Sequence, residues 1–107
     1  MSYYLVITTV AKPSDAERLA NQALELRLAA CVQVQAAGTS FYEWQGKNET
    51  ATEHPLHFKT NQLRKDELIK FIKDHHPYDL PEIIAIEIQG IDVDYAKWLD
   101  AQTSRND

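Results

Sequence analysis

Two adjacent imidazoles, His75 and His76, are the side chains best suited to chemistry in this 107-residue sequence. Imidazole is a common ligand for borderline divalent cations, and the pair stands directly before Pro77, through which a helix does not continue. Neighbours on a regular helix point about 100° apart, so both rings reach one ion only where the helix ends between them. Such an ion takes about four ligands, and Asp74, Asp79, Glu82 or a group from another subunit would have to complete the set. The pair is also compatible with a plainer role, as polar side chains favoured by the negative end of a helix dipole.

A second constellation is Trp44, Lys59, Tyr78 and Glu82, which strand ends and the loop Pro77–Pro81 can bring to one polar pocket. The competing reading is a surface lysine and carboxylate beside aromatic residues that fill an interface. Glu82 as a general base would suit a hydrolase or isomerase, but no nucleophile or oxyanion hole accompanies it, and an enzyme is not expected. His54 and His57 are three apart in extended chain and so face opposite ways, unless Pro55 forces a bulge between them. Cys31 lies in the apolar run Leu28-Ala29-Ala30-Cys31-Val32, where a thiol reads as a core filler rather than a nucleophile. With three glycines and neither G-x-G-x-x-G nor a Walker sequence, the chain lacks the usual phosphate cradles, and no organic cofactor is indicated.

The scaffold that must position these residues reads as a single domain over residues 1–107, with a 44% hydrophobic content that supports one core without cross-links. Eleven basic against 16 acidic side chains leave a net charge of −5, the wrong sign for contacts to phosphate, so no nucleic-acid partner is expected. The single cysteine excludes an intrachain disulfide and points to a reducing compartment, the cytoplasm. The apolar run near the start, Tyr3 to Ile7, is far shorter than the roughly 20 residues of a membrane-spanning helix, and neither membrane nor export signal is expected. The polar tail Thr103–Asp107 is expected to fray.

Tyr3 to Val10, rich in β-branched and aromatic residues, reads as a buried strand. The capping box Ser14-x-x-Glu17 and the stripe Ala16, Leu19, Ala20, Ala23, Leu24, Leu28 predict a helix ending near Ala29. Cys31 to Gln45 and Glu49 to Thr60 read as the arms of a long hairpin about the turn Gly46-Lys47-Asn48, with bends suggested by Gly38 and Pro55. Each unbroken arm would span about 45 Å, against about 30 to 35 Å for a compact domain of this size, so the hairpin should overhang. Its distal part carries Phe41, Tyr42 and Trp44, which a monomer leaves in water, and this predicts a homo-oligomer. Asn61 should cap a helix from Gln62 to His75, Glu82 to Gly90 reads as a last strand, and Asp92 starts a short helix with Tyr95, Trp98 and Leu99 on one side. The order βαββαβ plus one helix is an α+β, ferredoxin-like sandwich with an additional C-terminal helix and a long central hairpin, a fold that hosts many functions.

With these residues placed, the chain resembles the CutA family, the divalent-cation tolerance proteins, from Tyr4 to Leu99. The segments that carry the likeness are Arg27-Leu28-Ala29-Ala30-Cys31-Val32, Ser40-Phe41-Tyr42-Glu43-Trp44-Gln45-Gly46-Lys47, Lys59-Thr60, His75-His76-Pro77-Tyr78, Pro81-Glu82-Ile83-Ile84 and Tyr95-Ala96-Lys97-Trp98-Leu99. The resemblance implies a ferredoxin-like homotrimer, cytoplasmic, acting in tolerance of copper and other divalent cations, with no enzyme activity. It places copper ligands at His75 and His76, and Thr8 where some members carry a cysteine. Loss of a soft thiolate there favours Cu(II) or Zn(II) over Cu(I). It also places pocket residues at Trp44, Lys59, Tyr78 and Glu82, near a subunit junction. The alternative is a regulatory trimer, similar in architecture to the PII proteins, that binds a small anionic ligand in inter-subunit clefts lined by Lys59 and Tyr78.

Overall fold

The computed structural model describes residues 1–105, in the order β1 (Tyr3–Val10), α1 (Pro13–Glu25), β2 (Cys31–Val34), β3 (Gly38–Trp44), β4 (Lys47–Asn61), α2 (Lys65–His75), β5 (Ile84–Ile88) and α3 (Val93–Thr103). β4 is the hub of an antiparallel sheet in the order β2-β4-β1-β5, and β3 continues along β4 beyond β2. This is the expected ferredoxin-like arrangement, with the first hairpin arm divided in two. The long axis of 46 Å, against 27 and 22 Å for the others, reflects a hairpin that projects from the body.

Side-chain alternation gives the sheet two unlike faces. Val6 and Val10 of β1, with Leu56 and Phe58 of β4, pack against Ala16, Leu19 and Ala23 of α1 and Leu68, Phe71 and Ile72 of α2. The alanines let α1 lie close, and each fully buried Leu or Phe contributes about 1.5 to 3 kcal/mol. On the opposite face only one end is covered, where α3 seats Leu99 against Tyr3 and Ala30. Of Tyr95, Trp98 and Leu99, read as one side of this helix, Leu99 is fully buried while Tyr95 and Trp98 are partly exposed.

Several boundaries differ from the sequence reading for identifiable reasons. α1 begins at Pro13 with Lys12 as its N-cap and no side-chain cap, so Ser14 lies inside the first turn. Proline's preset φ suits the first helical position, and no capping box forms. α1 stops at Glu25 because Arg27 adopts a left-handed φ of 58° and the amides of Arg27 and Leu28 turn back to the carbonyls of Leu24 and Ala23. That terminator is normally glycine, so nothing in the sequence announced it. Asn61 belongs to β4: its side chain accepts from the Leu63 amide at 3.1 Å and donates to Asp100 and Thr103, and α2 starts only at Lys65. β5 is shorter than Glu82–Gly90. At the hairpin tip the turn is Gln45-Gly46, both at positive φ, with Trp44 opposite Lys47. The tail is held further than expected, since Thr103 is buried and Arg105 pairs with Glu67; residues 106 and 107 lie outside the described residues.

Pro55 does not bulge its own strand. β4 runs through it, and the irregularity falls on the other arm, where residues 35–37 lie opposite only His54 and Pro55. One extra residue reverses which face successive side chains occupy. Val32 and Val34 therefore point to the helices, whereas Ser40, Tyr42 and Trp44 share the opposite face with Glu53.

Candidate functional site

The helix does end at the histidine pair, as Pro77 requires, with His76 already extended. The two rings then part. His75 is exposed, stacks on Phe71 with ring centroids 4.6 Å apart, and donates through Nδ1 to the Phe71 carbonyl at 2.9 Å, which leaves Nε2 without a partner among the described residues. It lines a groove of about 260 Å³ beside α1 with Leu26, Phe71 and Asp74. His76 turns to the sheet. Its Nε2 lies 3.0 Å from the Thr9 carbonyl, and its Nδ1 accepts from the Tyr78 amide at 3.1 Å. A carbonyl only accepts and an amide N–H only donates, so His76 is the neutral tautomer protonated on Nε2, with both nitrogens engaged. Burial holds this imidazole below its ordinary value, against the opposing influence of its bond to Thr9 and the carboxylates of Asp15 and Glu53.

Thr8, where the resemblance places a cysteine, is fully buried and donates to the Glu82 carbonyl at 2.6 Å. It anchors the start of β5. Among the described residues no group of three or more His, Cys, Asp or Glu side chains is gathered closely enough to hold an ion. Of the copper ligands carried over by resemblance, only His75 presents a ring nitrogen that is not already bonded.

His76 thus fixes the loop that carries Tyr78, and Tyr78 in turn lines a cleft beside β3. Its hydroxyl donates to Glu53 Oε2 at 2.8 Å, and Thr9 Oγ1 donates to the same oxygen at 3.2 Å. Burial and the bonded Glu53 carboxylate push the Tyr78 phenol well up. The cleft, about 460 Å³, is bounded by Ser40, Tyr42, Glu53, Tyr78, Leu80 and Glu82. Tyr78 and Glu82 are therefore brought together, and Trp44 joins Tyr78 in an adjoining depression of about 310 Å³. Lys59 is not brought there. It sits opposite Leu5 and Cys31, roughly 13 Å along β4 from Pro55, with its ammonium 5.9 Å from the ring of Tyr95. Glu53 was absent from the sequence reading. Its partners come from positions 25 and 44 residues away, and nothing local marks it as the cleft's floor.

Residues 4–102 match the family described as CutA1 divalent ion tolerance protein. The divalent-cation tolerance protein CutA of Yersinia pestis (strain Pestoides F) is 40% identical over 97 residues, covering 91% of this chain and 82% of its own. The crystal structure of CutA from Xylella fastidiosa superposes with a TM-score of 0.94 at 34% identity, over 97% of this chain and 100% of that one. CutA1 from Oryza sativa gives 0.93 at 35% identity, over 99% and 97%. The protein from Archaeoglobus fulgidus described as periplasmic divalent cation tolerance protein CutA gives 0.91 at 33%, over 95% and 99%. The family match spans nearly the whole chain and the fold agrees throughout its length, so this chain belongs to the CutA1 divalent ion tolerance family.

Proposed function

We propose that this divalent-cation tolerance protein works as a cytoplasmic homotrimer that takes up Cu(II) or a similar divalent ion, without catalysing a reaction. The observation that carries the ion reading is the open Nε2 of His75 at the surface, on a ring oriented by its own bond to Phe71. His76 joins as a second ligand only after its ring leaves the Tyr78 amide or the Thr9 carbonyl, so uptake by the pair is expected to be weak. Thr8 takes no part, being buried and bonded to Glu82. Trimerisation is supported by the uncovered sheet face, where Ile84 and Ile86 are 46% and 49% exposed, and by the projecting hairpin, where Phe41 is 78% exposed. The single, partly buried Cys31 suits a reducing compartment, and fractionation tests the cytoplasmic assignment, the Archaeoglobus relative being described as periplasmic. Calorimetric titration of Cu(II) and Zn(II) into the purified oligomer, beside His75→Ala/His76→Ala, tests the ion reading. Saturable binding lost in the variant supports it, and equal binding in both proteins overturns it.

Binding of a small anion between subunits is a second reading, favoured by Lys59, which forms no ion pair with any described residue. Within one chain Lys59 and Tyr78 stand apart, so such a site exists only between copies. Anion binding abolished by Lys59→Ala and untouched by loss of the histidines would establish it.

A further inference from the structure

The open face of the sheet carries one imidazole among its aliphatic side chains. By strand register His57 of β4 stands opposite Ile7 of β1 and Gln33 of β2, and Ile7 in turn stands opposite Ile84 of β5. The next row on the same face is Cys31, Lys59, Leu5 and Ile86, and α3 covers only the row beyond, at Tyr3 and Ile88. His57 therefore lies within the surface that the trimer reading closes over with other copies. His54, His75 and His76 each have a ring nitrogen bonded within the chain, whereas the ring of His57 has no hydrogen-bond partner among the described residues. In the single chain it is partly exposed, and water serves it.

Covering that face raises the cost of a proton. An imidazolium in an apolar contact is an unpaired ion, and removal from water disfavours the charged form. The groups that share the face offer no counter-charge close by. β1 and β5 present aliphatic side chains and the Thr9 hydroxyl, and β2 presents Gln33 and the Cys31 thiol. β4 itself adds Lys59, a like charge about 7 Å along the strand, and α3 adds Tyr95 beside that lysine. Glu53 lies about 13 Å the other way and is already bonded to Thr9 and Tyr78. Between about pH 7.5 and 5.5 imidazole is the side chain that ordinarily changes charge. We propose that assembly of this chain is linked to protons through His57, the copies closing over the sheet face only while that ring is neutral. The assembled state then binds fewer protons than the separate chains, so association is strongest at the alkaline end of this range and weakens as pH falls. The proposal rests on the trimer reading and deepens it by adding how that assembly is regulated.

Light scattering over a dilution series of the full chain, in chelator-treated buffer at about pH 7.5, 6.5 and 5.5, tests this beside His57→Leu. One unit below the usual imidazole value each excluded proton lowers the association constant about tenfold, so three copies lower it by up to about a thousandfold. The parent is expected to move toward the single-chain mass at acid pH, and His57→Leu to hold its trimer across the range. Where dilution leaves both proteins trimeric, urea midpoints at fixed chain concentration read the same difference, with the parent losing more than the variant as pH falls. His57→Gln, neutral and polar, repeats the comparison should the leucine variant aggregate. A trimeric parent whose pH dependence equals that of the neutral variants overturns the proposal and leaves the trimer standing. A parent already at the single-chain mass at about pH 7.5 overturns the trimer reading, and this proposal with it.

Discussion

The imidazole of His54 stands where an amide of Pro55 would stand if proline had one: its Nδ1 lies 3.1 Å from the Gln35 carbonyl, while the Gln35 amide donates to the Pro55 carbonyl at 2.8 Å. Because a carbonyl only accepts, Nδ1 carries the proton. This side chain completes the ladder at the place where the first arm gains its extra residue and turns Tyr42 and Trp44 toward the Glu53 face.

His54→Ala is therefore expected to cost about 1 kcal/mol, by leaving the Gln35 carbonyl without a protein partner. His57→Ala, three strand positions on, removes no such bond and should cost less. Placing His54→Ala in a Pro55→Ala background, where an amide is available, should reduce the loss. Urea midpoints of the parent, the three single variants and the double variant measure this, and equal losses for His54 and His57 would sink the account.

The two neighbouring histidines should separate cleanly when changed one at a time. In chelator-treated protein, His76→Ala removes the bonds to the Thr9 carbonyl and the Tyr78 amide, for a loss of about 1 to 3 kcal/mol, whereas His75→Ala removes one bond at an exposed ring and costs less. For Cu(II) uptake the order reverses, with His75→Ala the more damaging. Denaturation in EDTA and copper titration read the two effects independently. A His76 variant as stable as the parent would show that the loop does not depend on this clamp.

How far the sequence led depends on the range of the signal. β1, the break at Pro77 and the Asp92 cap were legible because each is written within a few residues. The end of α1 was not, since its left-handed terminator is Arg27 rather than glycine. Tyr78 and Glu82, close in sequence, line one cavity. Lys59 was not separable from them without the register that carries it toward α3, and Glu53 was hidden because its meaning comes from Tyr78 and Thr9, remote in the chain. Likewise, adjacency made His75 and His76 look like one site, and only the tertiary partners of each ring show that they face different neighbours.

α3 is tied down by a contact that titrates. The Tyr3 hydroxyl donates to Asp100 Oδ2 at 2.7 Å, and Asn61 bonds the other Asp100 oxygen at 2.9 Å. The Asp100 bond, aided by burial and by the carboxylate's charge, raises the Tyr3 phenol above its ordinary value of 10.0. A group whose folded value is raised stabilises fully below the unfolded value and loses that contribution as pH climbs past it. Tyr3→Phe should therefore be less stable than the parent near neutrality, with the gap narrowing above pH 10. Thermal midpoints of both proteins across pH 7 to about 11 check this, and because every other tyrosine is common to the pair, their titration cancels in the difference. A gap independent of pH would mean that the lost hydroxyl acts through packing alone.

The uncovered sheet face gives the sharpest test of assembly. Ile84 and Ile86 lie opposite Ile7 and Leu5, and α3 covers only the far end, at Tyr3 and Ile88. If a second and third copy close over this face, Ile86→Glu places a charge in an apolar interface, where an unpaired ion costs several kcal/mol. In the isolated chain the same side chain is about half exposed, so the fold itself should tolerate the change. The expected result is that light scattering falls from roughly three times the 12.3 kDa chain mass to the chain mass itself, with the far-ultraviolet circular dichroism retained. A parent protein already at the single-chain mass would remove the trimer from the proposal. An undiminished trimer in the variant would move the contact to the hairpin, whose β3 edge and exposed Phe41 are the next surface able to pair copies.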